Sequence, residues 1–535
     1  MTSIKELYFG GGIFTVDDAN PLAEAVAVKD GMILAVGSIE KCKAALGQGY
    51  ASCDLQGGTM LPGFIDTHFH PLMKIYYDMN ADLRGARSME ELQERLRKLA
   101  KPEEPDAWVM GLDFDENWMD VPKLPTRRDL DLACPNNPTI VIKHDGHMVI
   151  ANTKAIQISH VTASTLNPDG GIIDREPDGF PAGPFREAAS QLVKESIPLP
   201  SMDSLEEGAK FTFKNMAACG ITSAGGIIQT SEEGPIGALG SFEVGILSAL
   251  IEHSCVNLFG ILLAKDHESV VSAKQTSLHQ AEPGGHHIGA VKIYADGTFG
   301  SHTALMREPF SDLPDKKQLM TMSDTKELYR RMVFAHKAGL QIAIHSIGDA
   351  SNRICVDLYE QLLNQFPRPV HRHRIEHASV LDYDTIADMK RLGIIVSVQP
   401  LFIHSEKHWL HKRLGFERAK ITYPFRSLAE AGVKVAGASD APIESIDVLH
   451  AIQCCVTREG FEPQQGISAE QAIRMYTTNA AYAQFEEEVK GSITPGKRAD
   501  LVVLDQNPLK VSPDLIGKIQ VLKTIRKGKV TYQRM

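Results

Sequence analysis

The chain predicts an α/β fold: a (β/α)8 barrel of the TIM type, with a small β-sandwich domain formed by both termini and a large insertion after barrel strand 1. Three observations point there. Eight short, apolar, β-branched runs recur with Gly, His or Asp at or near their ends, as strands bounded by turn residues do. The later runs alternate with helix-length amphipathic segments at 325–338, 350–365 and 382–391. Glycines stand just before the next strand at Gly339, Gly393 and Gly432, which suits helix C-caps. A closed barrel and an open, doubly wound sheet share these local signals, so periodicity alone does not separate them.

Residues 4–58 read as short strands with glycine turns, in LYFGGGIFTV and AVAVKDGMILAVG. Residues 489–533 read the same way, in ADLVVLD and VLKTIRKGKVTY. Neither end can bury a sheet alone; together 1–58 and 489–535 predict one small β-sandwich. The barrel is predicted over 59–488. Its strands are 59–66 (TMLPGFID), 220–226, 256–263, 288–295, 341–346, 373–377, 394–399 and 433–439. The first two lie about 150 residues apart, far beyond one crossover helix, so 72–215 is predicted to be an insertion with its own structure. It holds a helix at 88–101, strand-like runs at 107–114 and 139–146 (TIVIKHDG), and a Pro/Gly/Asp-rich segment at 167–184.

Of 535 residues, 43% are hydrophobic and 23% charged, an ordinary globular balance. Lys+Arg is 56 against 67 Asp+Glu, a net charge of −11. That sign argues against a nucleic-acid or anionic-membrane partner, since both favour a basic face, and leaves a small-molecule substrate as the expected partner. No run of about 18 apolar residues occurs, so no membrane span is expected. The N-terminus lacks a basic region followed by an apolar one, so no secretory signal is read. The 8 cysteines are scattered with no C-x-x-C, which disfavours thiolate zinc sites and disulfides and predicts idle thiols in a reducing cytoplasm.

Twenty histidines raise the question of where they cluster. In LPGFIDTHFHP (61–71), His68 and His70 share one face of a strand near its C-terminal end. His345 and His377 end two later strands, Asp440 follows the last, and Lys292 lies inside 288–295. In a barrel these positions converge on the C-terminal rim, where active sites of this fold lie. An H-x-H alone arises often by chance; the convergence of the whole set does not. Imidazoles with a carboxylate suit a divalent metal, zinc first. An ammonium cannot ligate a cation, so Lys292 is either a buried ion pair or a carbamate whose charge a metal would stabilise.

The segments LPGFIDTHFHP (61–71), KIYADGTFGSHTA (292–304), AIHSIGDAS (343–351), RIEHAS (374–379), YPFRSLAEAGVKVAGASDAP (423–442), YTTNAA (476–481) and KGSITPGKRADLVVLD (490–505) follow one another in the chain. Together they resemble the amidohydrolase superfamily, and within it the YtcJ-like branch related to N-substituted formamide deformylase. The resemblance covers nearly the whole chain and implies the barrel rather than the doubly wound sheet. It implies that His68 and His70 bind the more buried metal, that Lys292 bridges two metals as N6-carboxylysine, and that His345 and His377 bind the second. Asp440 would contact the metal centre and its bridging hydroxide and shuttle the proton. The implied enzyme carries two Zn2+ per chain and uses metal-bound hydroxide to cleave a non-peptide C–N bond, amide or formamide-like, of a small organic substrate. A homodimer is what the family suggests. The same donor set also hosts isomerisation, decarboxylation, ester cleavage and iron-dependent redox chemistry, and a metal-containing regulatory protein is a third reading.

Five further residues are candidates for substrate binding. Asp296 lies four positions after Lys292, and His302 stands where many relatives carry Arg. From the insertion, His147 and Asn152 in KHDGHMVIANTKAI (143–156) and Trp118 in GLDFDENW (111–118) resemble pocket-lining segments of the branch. His404, His408 and His411 follow the seventh strand, in a loop on the active-site face; 408 and 411 have the spacing of a helix surface.

Overall fold

The computed structural model describes residues 3–101, 103–144, 147–234, 236–280, 282, 284–315 and 324–534. The chain forms two compact units, one of Met1–Leu72 with Thr212–Met535 and one of Met73–Phe211.

The larger unit holds the barrel. Its strands, in order around the sheet, are β1 (Phe64–Phe69), β2 (Ile221–Gln229), β3 (Asn257–Leu263), β4 (His287–Tyr294), β5 (Gln341–Ser346), β6 (Arg374–His377), β7 (Ile395–Val398) and β8 (Val435–Gly437). Each neighbouring pair from β1 to β8 is parallel. The ring is completed where β8 meets β1. Thr67 Oγ1 donates to Gly437 O at 3.0 Å, Ser439 N donates to Asp66 Oδ1 at 3.0 Å, and Asp440 N donates to His68 O at 2.8 Å. Every residue of β1, β2, β3 and β5 is buried, as parallel strands covered on both faces must be. Helices Thr325–Lys337, Asp349–Gln365 and Tyr383–Leu392 fall within two residues of their predicted places. Gly339, Gly393 and Gly432 have φ of 76°, 69° and 73°, the left-handed turn that ends a helix at no steric cost to glycine.

The run 59–66, read in the sequence as one strand, is two. Thr59–Pro62 belongs to the sheet of the chain ends and β1 begins at Phe64. Gly63 is the joint: a Cβ there would lie 2.4 Å from the Thr222 side chain, so only glycine lets the backbone pass β2 this closely. An unbroken apolar run hides such a switch, because both halves are buried.

The end sheet also has 8 strands. Thr59–Pro62 pairs with the N-terminal strand Lys5–Phe14 on one side and with Leu501–Leu504 on the other. Ile33 and Val36 of one margin and Ile525 near the other share a buried cluster with Met60 and Leu501. One sheet therefore closes over its own apolar face, as a sandwich does. Its other face is covered by helix Ile39–Leu46 through Cys42 and Leu46.

The smaller unit is a sheet of 6 strands, in the order Gly171–Arg175, Pro181–Glu187, Met148–Ala151, Thr139–Lys143, Val109–Phe114 and Ala81–Asp82. Alternation sends Val141 and Ile150 to one core with Leu92, Leu96 and Phe114, and Ile140 and Val149 to the other with Phe185 and Val193. Residues 145 and 146 of the predicted run 139–146 lie outside the described residues. Among the described residues, no helix is long and apolar enough to cross a membrane.

Candidate metal centre

The six predicted ligand residues come together at the C-terminal end of the barrel strands. His68 is fully buried, and its Nδ1 lies 2.5 Å from Glu376 Oε2. That contact leaves its Nε2 facing Lys292 Nζ at 3.2 Å and Asp440 Oδ1 at 3.3 Å. His70 Nε2 lies 3.2 Å from the same Asp440 oxygen. His377 is held through Nδ1 by Gln399 Oε1 at 2.7 Å, and His345 through Nε2 by Gly297 O at 3.1 Å. The rings of His345 and His377 are 4.4 Å apart and those of His377 and His68 are 5.2 Å apart. Three imidazoles thus each have one nitrogen fixed by a partner and the other free for the centre, the arrangement that sets tautomer and direction in metal-ligating histidines. Donor atoms of His68, His70 and Asp440 all lie within 4.8 Å of one another.

Charge in the site follows from burial. It pushes His68 down to about 4 and His377 down to about 3, so both imidazoles are neutral and basic enough to ligate at neutral pH. Burial alone would raise the Asp440 carboxyl, but His68, His70 and His377 around it hold it well below the usual range. Lys292 is pushed down to about 8, again chiefly by burial. It is 2% exposed and, among the described residues, has no carboxylate within 4.0 Å. The ion-pair reading of Lys292 therefore finds no direct partner. His377 and Asp440 carry φ of 71° and 61°, left-handed conformations that cost about 1–3 kcal/mol each and concentrate at functional sites.

Four residues that the sequence reading passed over hold this cluster. Glu376 orients His68 and is itself held by Arg374, whose Nε donates at 2.5 Å while Nη2 donates to Thr67 O at 2.8 Å. Arg374 and Glu376 are both fully buried. Gln399 orients His377. Asp66 accepts from Ser439 N and from His68 N, tying β1 to the turn after β8. A usable signal was present in RIEH: two opposite charges alternate inside a predicted barrel strand, and buried charges have to be paired.

The weaker candidates fare differently. Both Asp296 oxygens are taken by backbone N–H groups, from Leu305 and Gly348 at 2.9 Å and from Ile347 at 3.0 Å. Asp296 thus anchors the loops beside His345. His302 faces Asp312 at 3.1 Å and Phe310 edge-on, inside the loop after β4. Asn152 corrects a second expectation. Its oxygen accepts from Thr139 N and Ala155 N at 2.9 Å, and its amide donates to Asn137 O and Cys134 O at 2.9 and 3.3 Å. With no hydrogen-bonding capacity left, it is the N-cap of helix Thr153–Ile158. His147 is exposed and 2.9 Å from Glu187. Trp118 is half-buried with its ring 5.7 Å from that of His144. His404 and His411 pair with Glu459 and Glu462, and His408 is exposed.

Comparison with known proteins places this centre. Residues 52–532 match the model of the amidohydrolase family. The YtcJ protein of Bacillus subtilis is 30% identical over 99% of this chain and all of its own length. The N-substituted formamide deformylase of Arthrobacter pascens is 28% identical over all of this chain and 99% of its own. A solved metal-dependent hydrolase of Pyrococcus furiosus superposes with a TM-score of 0.73 at 26% identity, covering 95% of this chain and all of that one. With the barrel, the centre at its mouth and these matches in hand, the chain belongs to the amidohydrolase family and is a metal-dependent hydrolase.

Proposed function

We propose that the chain cleaves a non-peptide C–N bond, amide or formamide-like, in a small organic substrate, with Asp440 as its proton shuttle. One observation carries this reading: Asp440 Oδ1 sits 3.3 and 3.2 Å from the nitrogens of His68 and His70. A carboxylate kept ionised beside both ligand nitrogens is within reach of a metal-bound water and can accept its proton. The deformylase relative supports the bond class.

The donor set fits divalent zinc, two ions per chain. His68 and His70 would hold one, His345 and His377 the other, and Lys292 would join them as N6-carboxylysine. Its neutral amine adds to CO2 and releases a proton, which turns a buried cation without a direct carboxylate partner into an anion. When bound, zinc supplies the Lewis acidity that makes water nucleophilic near neutral pH and polarises a carbonyl. Glu376, Gly297 and Gln399 keep His68, His345 and His377 aimed throughout. Asp440 Oδ1 takes the proton of the attacking water and returns it to the departing nitrogen, so that an acid and an amine leave.

The test is a screen of N-formyl, N-acyl and cyclic amides with purified protein and added zinc. Asp440→Asn is expected to lower kcat by about 10²–10⁴-fold while the fold persists. Full hydrolytic activity in that variant would sink the shuttle. Stoichiometric iron with an oxygen requirement would overturn the hydrolytic reading.

A further inference from the structure

A second cluster of metal-type donors stands apart from the one above and shares no residue with it. His404 lies on helix Phe402–Glu406 after β7, His450 on helix Val448–Thr457 after β8, and Glu459 on the turn that follows. His404 Nδ1 is 2.8 Å from Glu459 Oε2 and 3.0 Å from Oε1, and His450 Nε2 is 2.8 Å from Oε1. The two rings meet edge-on with centroids 4.9 Å apart. All three donor atoms lie within 4.8 Å of one another.

The carboxylate is delivered there by strained backbone. Arg458 and Glu459 have φ of 56° and 47°, conformations that non-glycine residues hold only when the surroundings enforce them. Here the enforcement is visible. The fully buried Arg458 donates to Tyr423 O at 2.7 Å, to Thr422 O at 3.1 Å and to Phe461 O at 3.2 Å. Thr457 Oγ1 accepts from Glu459 N at 3.2 Å, and the Cys454 thiol donates to Glu459 Oε1 at 3.5 Å. A plain surface ion pair needs no such frame, since exposed pairs contribute little and tolerate many geometries.

We propose that His404, His450 and Glu459 form a separate site for a divalent transition-metal ion of the zinc class. Two imidazoles and one carboxylate are a known zinc donor set, which keeps further positions for water; the His404 side chain, 54% exposed, leaves that side open to solvent. Burial opposes ionisation of Glu459, but Lys407, His450 and His404 hold its carboxyl down at about 2. Lys407 is the competitor: its ammonium lies 2.5 Å from Glu459 Oε2 and must swing outward when a metal binds. The site is also connected to the first. Phe402, on the same short helix as His404, stacks on the His377 ring with centroids 6.1 Å apart. A metal that ties this helix to Val448–Thr457 would hold Phe402 against a residue of the catalytic centre.

The full chain, stripped by chelation and reloaded with Zn2+ or Co2+, tests the assignment by metal counting and by the Co2+ visible spectrum. Wild type is expected to bind one more ion per chain than His404→Ala or His450→Ala, and to show a Co2+ band component that both variants lack. Lys407→Met is expected to tighten that ion at least several-fold. Since the His404 side chain is largely exposed, its replacement leaves the core untouched. Equal metal counts and equal spectra in wild type and both histidine variants would overturn the site. Unchanged affinity in Lys407→Met would remove Glu459 from the ligand set.

Discussion

A single buried carboxylate, Glu376, decides how His68 presents itself. It receives the His68 ring on one oxygen and the Arg374 guanidinium on the other, and against burial the Arg374 charge, helped by the His68 hydrogen bond, keeps it ionised. Partners that aim a ligand in this way typically account for 10–100-fold in metal affinity. Glu376→Gln is therefore expected to weaken metal binding by about that factor, read by competition with a chromogenic chelator. Affinity equal to wild type would show that β1 alone aims His68. Asn152 teaches the opposite lesson at the same scale. A polar residue in a segment that resembles a pocket wall is here fully spent on four hydrogen bonds to main chain. Residue type and neighbourhood cannot reveal that, because helix caps and binding groups draw on the same side chains.

At the scale of elements, the barrel stores a pH dependence at both ends of its strands, in His68 and His377 at one end and in His286, just before β4, at the other. His68, His377 and His286 are pushed from 6.5 to about 4, 3 and 4 by burial. The unfolded chain takes up protons at these positions as pH falls past about 6.5, while the folded chain does not until about 3–4. The contribution of these three histidines to stability without metal is thus fully present above about 6.5 and is lost as pH falls towards 4. Between about pH 7.5 and about pH 5 the urea midpoint of the chelated protein should fall more in wild type than in His286→Gln; an equal pH response in the two would contradict a neutral His286. Strands were the most legible elements, since β-branched runs and their punctuating Gly, His and Asp mark both place and polarity. The candidate ligands at strand ends stand out for the same reason. The switch at Gly63 was not, because apolar character is the same on both sides of it. Orienting groups such as Gln399 were not, because a glutamine after a strand carries no periodicity.

For the whole molecule, the end sheet is as much a part of the barrel unit as the barrel strands are. Strand Val521–Arg526 closes the shared core through Ile525, and Thr524 Oγ1 donates to Ala217 O at 2.6 Å on the helix before β2. Deleting residues 521–535 would expose Leu501–Leu504 as an unpaired edge, a template for aggregation. The soluble fraction of such a variant is expected to fall several-fold; full solubility with an unchanged Tm would show the sheet to be an accessory. That the two ends would meet was legible from their like strand–turn texture. That they share one continuous sheet was not, because register between strands so distant in sequence leaves no local mark.

The joint at Gly63 has a temporal meaning. The strand bearing His68 and His70 grows directly out of Thr59–Pro62, whose hydrogen-bonded neighbour is Leu501–Leu504. As the chain leaves the ribosome, the first two candidate ligands emerge attached to a half-built sheet whose missing neighbour, Leu501–Leu504, follows every barrel strand in the chain. Full ordering of His68 and His70 then waits on β8, whose following turn bonds their main chain, and on Leu501–Leu504. Until Leu501–Leu504 pairs, the strand that leads into His68 and His70 lacks that neighbour and presents an open edge.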